Sequence, residues 1–183
     1  MRRIIFLLLF AFGIVSHFAY ADTESDSLDA LFERLKTAPD ASASEPIVKS
    51  IKKIWLHSGS DTVDLLMDRA DAALENQDLP LAIEILDRVI TLEPDWAAGW
   101  NQRATVFFLM DDYRRSMADI AETLKREPRH YGAISGMGLI FLHRGDKKHA
   151  YDAFERVLAI YPQLETAKNA VNQLRPDVEG LPL

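Results

Sequence analysis

Residues 95–128, DWAAGWNQRATVFFLMDDYRRSMADIAETLKREP, and residues 129–162, RHYGAISGMGLIFLHRGDKKHAYDAFERVLAIYP, are two copies of one pattern. Pro94, Pro128 and Pro162 fall 34 residues apart, and so do Asp78, Asp112 and Asp146, and Ala82, Ser116 and Ala150. A fixed step of this length is the signature of a stack in which each unit repeats one supersecondary structure. It points to a binding surface and away from a catalytic pocket.

The pattern is that of two helices per unit, on a count that puts each proline at position 32. The first helix has large residues at position 4 (Leu66, Trp100, Ile134), small ones at 8 (Ala70, Ala104, Gly138) and Ala73, Phe107 and Phe141 at 11. The second opens after an aspartate, which can accept from the first free N–H groups of a helix and stabilise it by about 1 kcal/mol. It carries the small residue at 20, then Leu86, Ile120 and Phe154 at 24. Two helices cross closely only where side chains are small, so position 8 is expected to face position 20, with 4, 11 and 24 filling the flanks. The proline stops the second helix by pushing the residue before it out of α geometry and by lacking an N–H. No such unit buries its apolar faces alone, so the units must stack.

These residues resemble the tetratricopeptide repeat (TPR): Trp or Leu at 4, small at 8, Phe at 11, Ala at 20, Phe or Leu at 24, Pro at 32. The resemblance implies an all-α, right-handed solenoid of three units, 61–94, 95–128 and 129–162. Position 7 departs from it, being Arg69 and Arg103 before Met137, and position 20 is Ser116 in the middle unit. Before the array, Leu28, Leu31, Phe32 and Leu35 mark one helix, which Pro39 and the stretch to Ser44 end. Ile47, Val48, Ile51, Ile54 and Trp55 mark another. Residues 22–60 thus read as a polar leader and a degenerate helical hairpin, serving as a first unit or a cap. Residues 163–183 read as a closing helix, Gln163 to Leu174, and a frayed tail from Arg175.

The N-terminus is a separate signal. Arg2 and Arg3, an apolar run from Ile4 to Val15 and then Ala19-Tyr20-Ala21 have the layout of a secretory signal peptide over residues 1–21, with cleavage after Ala21. The mature chain would then hold no stable membrane span and would be periplasmic in a Gram-negative cell envelope. The other reading keeps Ile4 to Tyr20 as an uncleaved anchor, making the chain a membrane-anchored accessory subunit of an envelope complex.

Composition narrows the rest. The 183 residues are 48% apolar and 27% charged, enough for a soluble domain with a core. The formal charge of −7 argues against nucleic acid. There is no cysteine, hence no disulfide and no thiol chemistry. No cofactor and no metal are expected: His143 and His149 lie six apart, where a helix wants i,i+3 or i,i+4 ligands, and Asp146 between them reads as a helix cap. His57-Ser58-Gly59-Ser60-Asp61 reads as a helix stop and restart, not as hydrolase machinery. Trp55, Trp96 and Trp100 read as core or interface residues.

In the family the concave wall comes from positions 2, 5, 6, 9, 12 and 13 of the first helices. Carried onto this chain, these imply a protein-binding groove of Asp64, Met67, Asp68, Asp71 and Glu75 in the first unit. The second unit gives Asn101, Thr105 and Phe108, and the third gives Ser135, Leu139, Leu142 and His143. Asp64, Asp68, Asp71 and Glu75 share one helix face. They would suit a partner with a basic segment, or would simply be a solvated face. Arg129, His130, Arg144, Lys147, Lys148 and His149 gather beyond the far end. Gly132 and Gly136 would either admit a ligand backbone or ease packing between units. The Lys, Asn and Arg clamp by which some relatives hold a C-terminal carboxylate is missing. The function expected is therefore a non-enzymatic protein-interaction module, an adaptor or assembly factor, gripping a peptide or protein segment.

Overall fold

The computed structural model describes residues 27–180, so the signal segment 1–21, the leader to Asp26 and residues 181–183 lie outside it. Among the described residues there are nine helices and no strand: α1 (Leu28–Thr37), α2 (Ala41–Trp55), α3 (Asp61–Glu75), α4 (Leu79–Leu92), α5 (Ala97–Leu109), α6 (Tyr113–Arg126), α7 (Tyr131–His143), α8 (Lys147–Ile160) and α9 (Glu165–Glu179). None of them is long and apolar enough to cross a membrane. The pairs α3–α4, α5–α6 and α7–α8 are the hairpins of three stacked units, joined through α4–α5 and α6–α7 and closed by α9 on α8.

Local chemistry sets the boundaries. The carboxylates of Asp78, Asp112 and Asp146 accept from the backbone N–H of Leu81, Arg115 and His149 at 3.2, 2.9 and 3.2 Å, as N-caps should. The turn before each cap needs one left-handed residue, supplied by Gln77 (φ 60°), Asp111 (φ 56°) and Gly145 (φ 73°). Each following N–H then reaches back to the first helix, as from Asp112 to the carbonyl of Phe107 at 2.9 Å, closing a Schellman-type turn.

Packing inside a unit is a matching of sizes. Buried Ala70 shares a core cluster with Leu86, Ala104 shares one with Ile120, and Gly138 stands against the larger Phe154. The space at Gly138 is filled by that ring: a Cβ there would stand 2.9 to 3.2 Å from its carbons. So Gly138 makes room for position 24, where only position 20 was expected. Ser116 is tolerated at position 20 because its buried hydroxyl donates to the Ala104 carbonyl at 2.8 Å. Gly138→Ala should gain about 1 kcal/mol of helix propensity and lose about 1–3 to overpacking, a net loss near 1 kcal/mol. Urea unfolding checks this, and a raised midpoint would contradict the packing account.

The departures at position 7 have different outcomes. Arg103 sends a two-pronged bond from Nε and Nη2 to Asp119 at 2.7 and 2.9 Å, and Nη1 to Asp87 at 2.7 Å. One guanidinium therefore ties α5 to α6 of its own unit and to α4 of the unit before. Arg69 is exposed and makes no ion pair among the described residues.

The hairpin α1–α2 departs furthest from the expected arrangement. Its buried residues Leu31, Phe32, Leu35, Ile47 and Ile51 join the cluster of the third unit, with Tyr131, Ile134, Phe154 and Val157. The hairpin follows the edge made by the loops between units. Trp96 donates from Nε1 to the Trp55 carbonyl (2.8 Å), Arg129 pairs with Asp29 (2.7 Å), and Gln163 donates to the Ala38 carbonyl (3.0 Å). The Trp55 ring stacks on His130 at 4.2 Å. Two boundaries are also corrected. Asp40 caps α2, so 41–44 open that helix and do not merely end α1. Residues 175–179 continue α9 where fraying was expected, because Lys147 pairs with Asp177 (2.6 Å) and Tyr151 donates to Glu179 (2.7 Å).

Candidate functional site: a groove between α5 and α7

The first helices of the second and third units border a groove of about 350 Å³. Asn101, Thr105 and Phe108 line it from α5, Ser135 and Leu139 from α7, and Ile120 lies on its floor. Gly132 and Gly136 open it: at Gly136 an added Cβ would meet only Ile120 Cδ1, at an ordinary 3.5 Å. Leu139 is 42% exposed, an apolar side chain standing at the rim.

The polar groups of the groove are unevenly committed. Thr105 and Ser135 spend their hydroxyls on the carbonyls of Asn101 and Tyr131 in their own helices, at 3.0 and 2.8 Å. The side-chain amide of Asn101 makes no hydrogen bond among the described residues, although it is half-buried. Donor and acceptor stand together there, which suits the N–H and C=O of an extended backbone. At one end Phe108, Tyr113 and His143 form an aromatic wall, with Phe108–Tyr113 centroids at 5.6 Å and Tyr113–His143 stacked at 5.2 Å. Tyr113 and Ile120 sit on second helices, outside the positions from which a groove was expected.

The remaining expected residues divide. Met67 is buried with Val63, Ala70 and Ala98 in the cluster that joins the first unit to the start of α5. Leu142 packs into the core cluster of the third unit. Neither lines the groove. Asp64 is held by the 58–60 turn: it accepts from Ser58 N–H at 3.0 Å and from the Ser58 hydroxyl, and those bonds hold its carboxyl below the usual range. Asp71 accepts from the side chain of Gln102 in the next unit, while its partial burial pushes its pKa up. Asp68 and Glu75 remain exposed, so half of the acidic stripe is already occupied.

The basic residues expected beyond the groove do not form one patch. His130 is buried, and burial lowers its pKa to about 4. Arg129 is engaged with Glu127 and Asp29 at the hairpin. His149 bonds Asp146 at 2.8 Å and stacks on Phe141 at 5.1 Å, while His143 points to Tyr113. Trp55, Trp96 and Trp100 are all half-buried, Trp100 lying between the guanidinium groups of Arg103 (5.1 Å) and Arg126 (4.8 Å).

A stack of α-hairpins with a groove along its first helices defines a helical-repeat solenoid. The chain belongs to the tetratricopeptide repeat family. Residues 101–165 match the family described as tetratricopeptide repeat. A TPR repeat-containing protein of Rhizobium etli is 44% identical over 153 residues, 84% of this chain and 75% of that protein. Among solved structures, MamA superposes with a TM-score of 0.60 at 18% identity, over 74% of this chain and 78% of its own. The first TPR of Spaghetti (RPAP3), bound to an HSP90 peptide, gives 0.60 at 16% identity, over 63% of this chain and 91% of its own. At these identities both show the fold.

Proposed function

We propose that this protein is a non-catalytic binding module that takes an extended peptide segment of a partner protein into the α5–α7 groove. The uncommitted Asn101 amide beside apolar Phe108 and Leu139 carries the reading. It offers a backbone one donor–acceptor handle between apolar walls. The peptide seen with a structural neighbour supports the same use of the fold. Asp68 and Glu75 add an acidic end for a basic stretch of the partner. The proposal extends to location: residues 1–21 direct export, and the mature protein acts as an adaptor or assembly factor in the periplasm. N-terminal sequencing of the exported chain should start at Asp22, and a start at Met1 would contradict this part.

The groove is tested by placing a photo-crosslinking residue at Thr105 in cells and comparing capture with the same residue at Lys125, exposed on another face. Gly136→Ala separates function from stability. It should raise stability by about 0.5–1 kcal/mol, since its Cβ fits and glycine is a poor helix former, while narrowing the groove and reducing capture at Thr105. Equal capture from both faces, or capture unchanged by Gly136→Ala together with Leu139→Asp, would overturn the assignment.

A further inference from the structure

Positions 3, 7 and 10 of the first helix carry the contact with the preceding unit. In the second unit these are Gly99 and Val106, both buried, and Arg103, which reaches back to Asp87 on α4. In the third they are Ala133 and Ile140, buried, and Met137, half-buried. In the first unit they are Leu65, 52% exposed, and Arg69 and Ala72, also exposed. The hairpin that precedes them in sequence packs on the third unit and leaves this flank open. The open face continues onto α4, where Leu81, Ile85 and Leu92 share hollows with Leu66, Arg69, Glu84 and Arg88.

We propose that the α3–α4 flank binds a second copy of this chain across a two-fold axis. A two-fold contact sets a patch against itself, so the patch must be self-complementary. The charged residues of these hollows are Arg69, Arg88, Glu84 and Asp87, two of each sign on a chain of formal charge −7. On this patch two acidic molecules can meet without net repulsion. Arg69 has no ion partner among the described residues, and Glu84 has only the exposed Arg88 one turn away, a weak pair that is readily exchanged. With α3 of each copy laid on α4 of the other, Arg69 meets Glu84 twice, over Leu65, Leu66, Ile85 and Leu92. The same chemistry already joins α5 to α4 through Arg103 and Asp87.

Sedimentation equilibrium of the purified protein should show a concentration-dependent dimer. Arg69→Glu alone sets two carboxylates against each other at both contacts, and Glu84→Arg alone sets two guanidinium groups against each other. Each should weaken the dimer at least about tenfold, since like charges facing each other cost several kcal/mol. Mixing the two variants should restore a dimer between them, because each of its two contacts then pairs a carboxylate with a guanidinium group; a double variant carrying both changes likewise pairs opposite charges at every contact. The double variant, Arg69→Glu with Glu84→Arg, should therefore dimerise like the wild type. Only a contact between these two residues predicts that rescue. All the changed side chains are exposed, so circular dichroism should be unaltered, and Leu65→Asp gives an independent apolar disruption. A monomer at every concentration, which would leave the flank to residues 1–26 or to another protein, overturns the proposal. So does a dimer indifferent to Arg69→Glu, or one that the double variant does not restore.

Discussion

Asp119→Ala is expected to destabilise the protein by about 3–5 kcal/mol, the range for breaking a buried ion pair by removing one partner. The Asp119 side chain is only 6% exposed and receives two bonds from Arg103. Those bonds, ahead of the opposing desolvation, hold the Arg103 pKa above its ordinary value, so the guanidinium keeps its charge when its partner goes. It would be left between the rings of Trp100 and Phe107, at 5.1 and 5.8 Å, with one remaining acid. Asp87→Ala removes that other acid but should cost under about 1 kcal/mol, because Asp87 is 56% exposed. Replacing the pair, Arg103→Met with Asp119→Leu, should recover most of the loss, since no orphan charge remains. Urea unfolding of the four chains decides it. A loss for Asp119→Ala no larger than that for Asp87→Ala would show that the pair is not what couples these helices. Because repeats are stabilised by their neighbours, Asp119→Ala should also broaden the transition as the second unit, with α5 and α6 untied, loosens within the stack.

The fate of position 7 shows how far the sequence can be read. Arg69 and Arg103 stand out as departures from the repeat, so the sites were visible. Their partners were not: Asp87 and Asp119 lie 16 residues to either side of Arg103, and it takes both the pairing of α5 with α6 and the stacking of α5 on α4 to bring them to it. Features fixed within a unit were legible. The caps at Asp78, Asp112 and Asp146 depend on spacing along one helix, and the close approach of the two helices on small residues at positions 8 and 20, although at Gly138 the side chain that fills the space is Phe154 of position 24. The groove was half legible for the same reason. Asn101, Thr105, Phe108, Ser135 and Leu139 follow from the family's concave positions carried onto this chain, and the structure brings them together. Met67 and Leu142 lie on the same nominal faces but are covered by neighbouring elements. Asp64 and Asp71 share a face with Asp68, yet a loop serine and a glutamine of the next unit claim them. The docking of the hairpin was not legible at all. Leu31, Phe32 and Leu35 announce an amphipathic helix, but an apolar stripe does not say which apolar surface it will meet, and here that surface lies about a hundred residues on.

The hairpin seam gives the second large effect, a stability that falls with acid well before the carboxylates titrate. His130 stacks on Trp55 at 4.2 Å, and its Nδ1 accepts the Ala133 N–H at 3.1 Å as the N-cap of α7. The bond requires a neutral Nδ1. A proton there would remove the cap and set a charge in a buried site at the positive end of a helix dipole. Burial accordingly lowers the pKa to about 4, against a slight opposing pull from the nearby Glu127 carboxylate. In the unfolded chain the ordinary value is about 6.5. Above that, neither state is protonated and the full stability is present. As pH falls from 6.5 to 4, the unfolded chain binds a proton that the folded one refuses. Stability then drops by up to about 1.4 kcal/mol per pH unit, about 3 kcal/mol over the whole window. Below pH 4 both states carry the proton and this contribution levels off. His130→Asn keeps a capping oxygen but cannot take up the proton. It should start less stable for want of the ring on Trp55 and lose far less between pH 6.5 and 4.5. Urea unfolding of both chains at intervals across that range tests the assignment. Parallel pH profiles would place the acid sensitivity elsewhere. A variant curve that stays flat while the wild type falls to meet it would fix the sensitivity at the seam where α2 lies against the third unit.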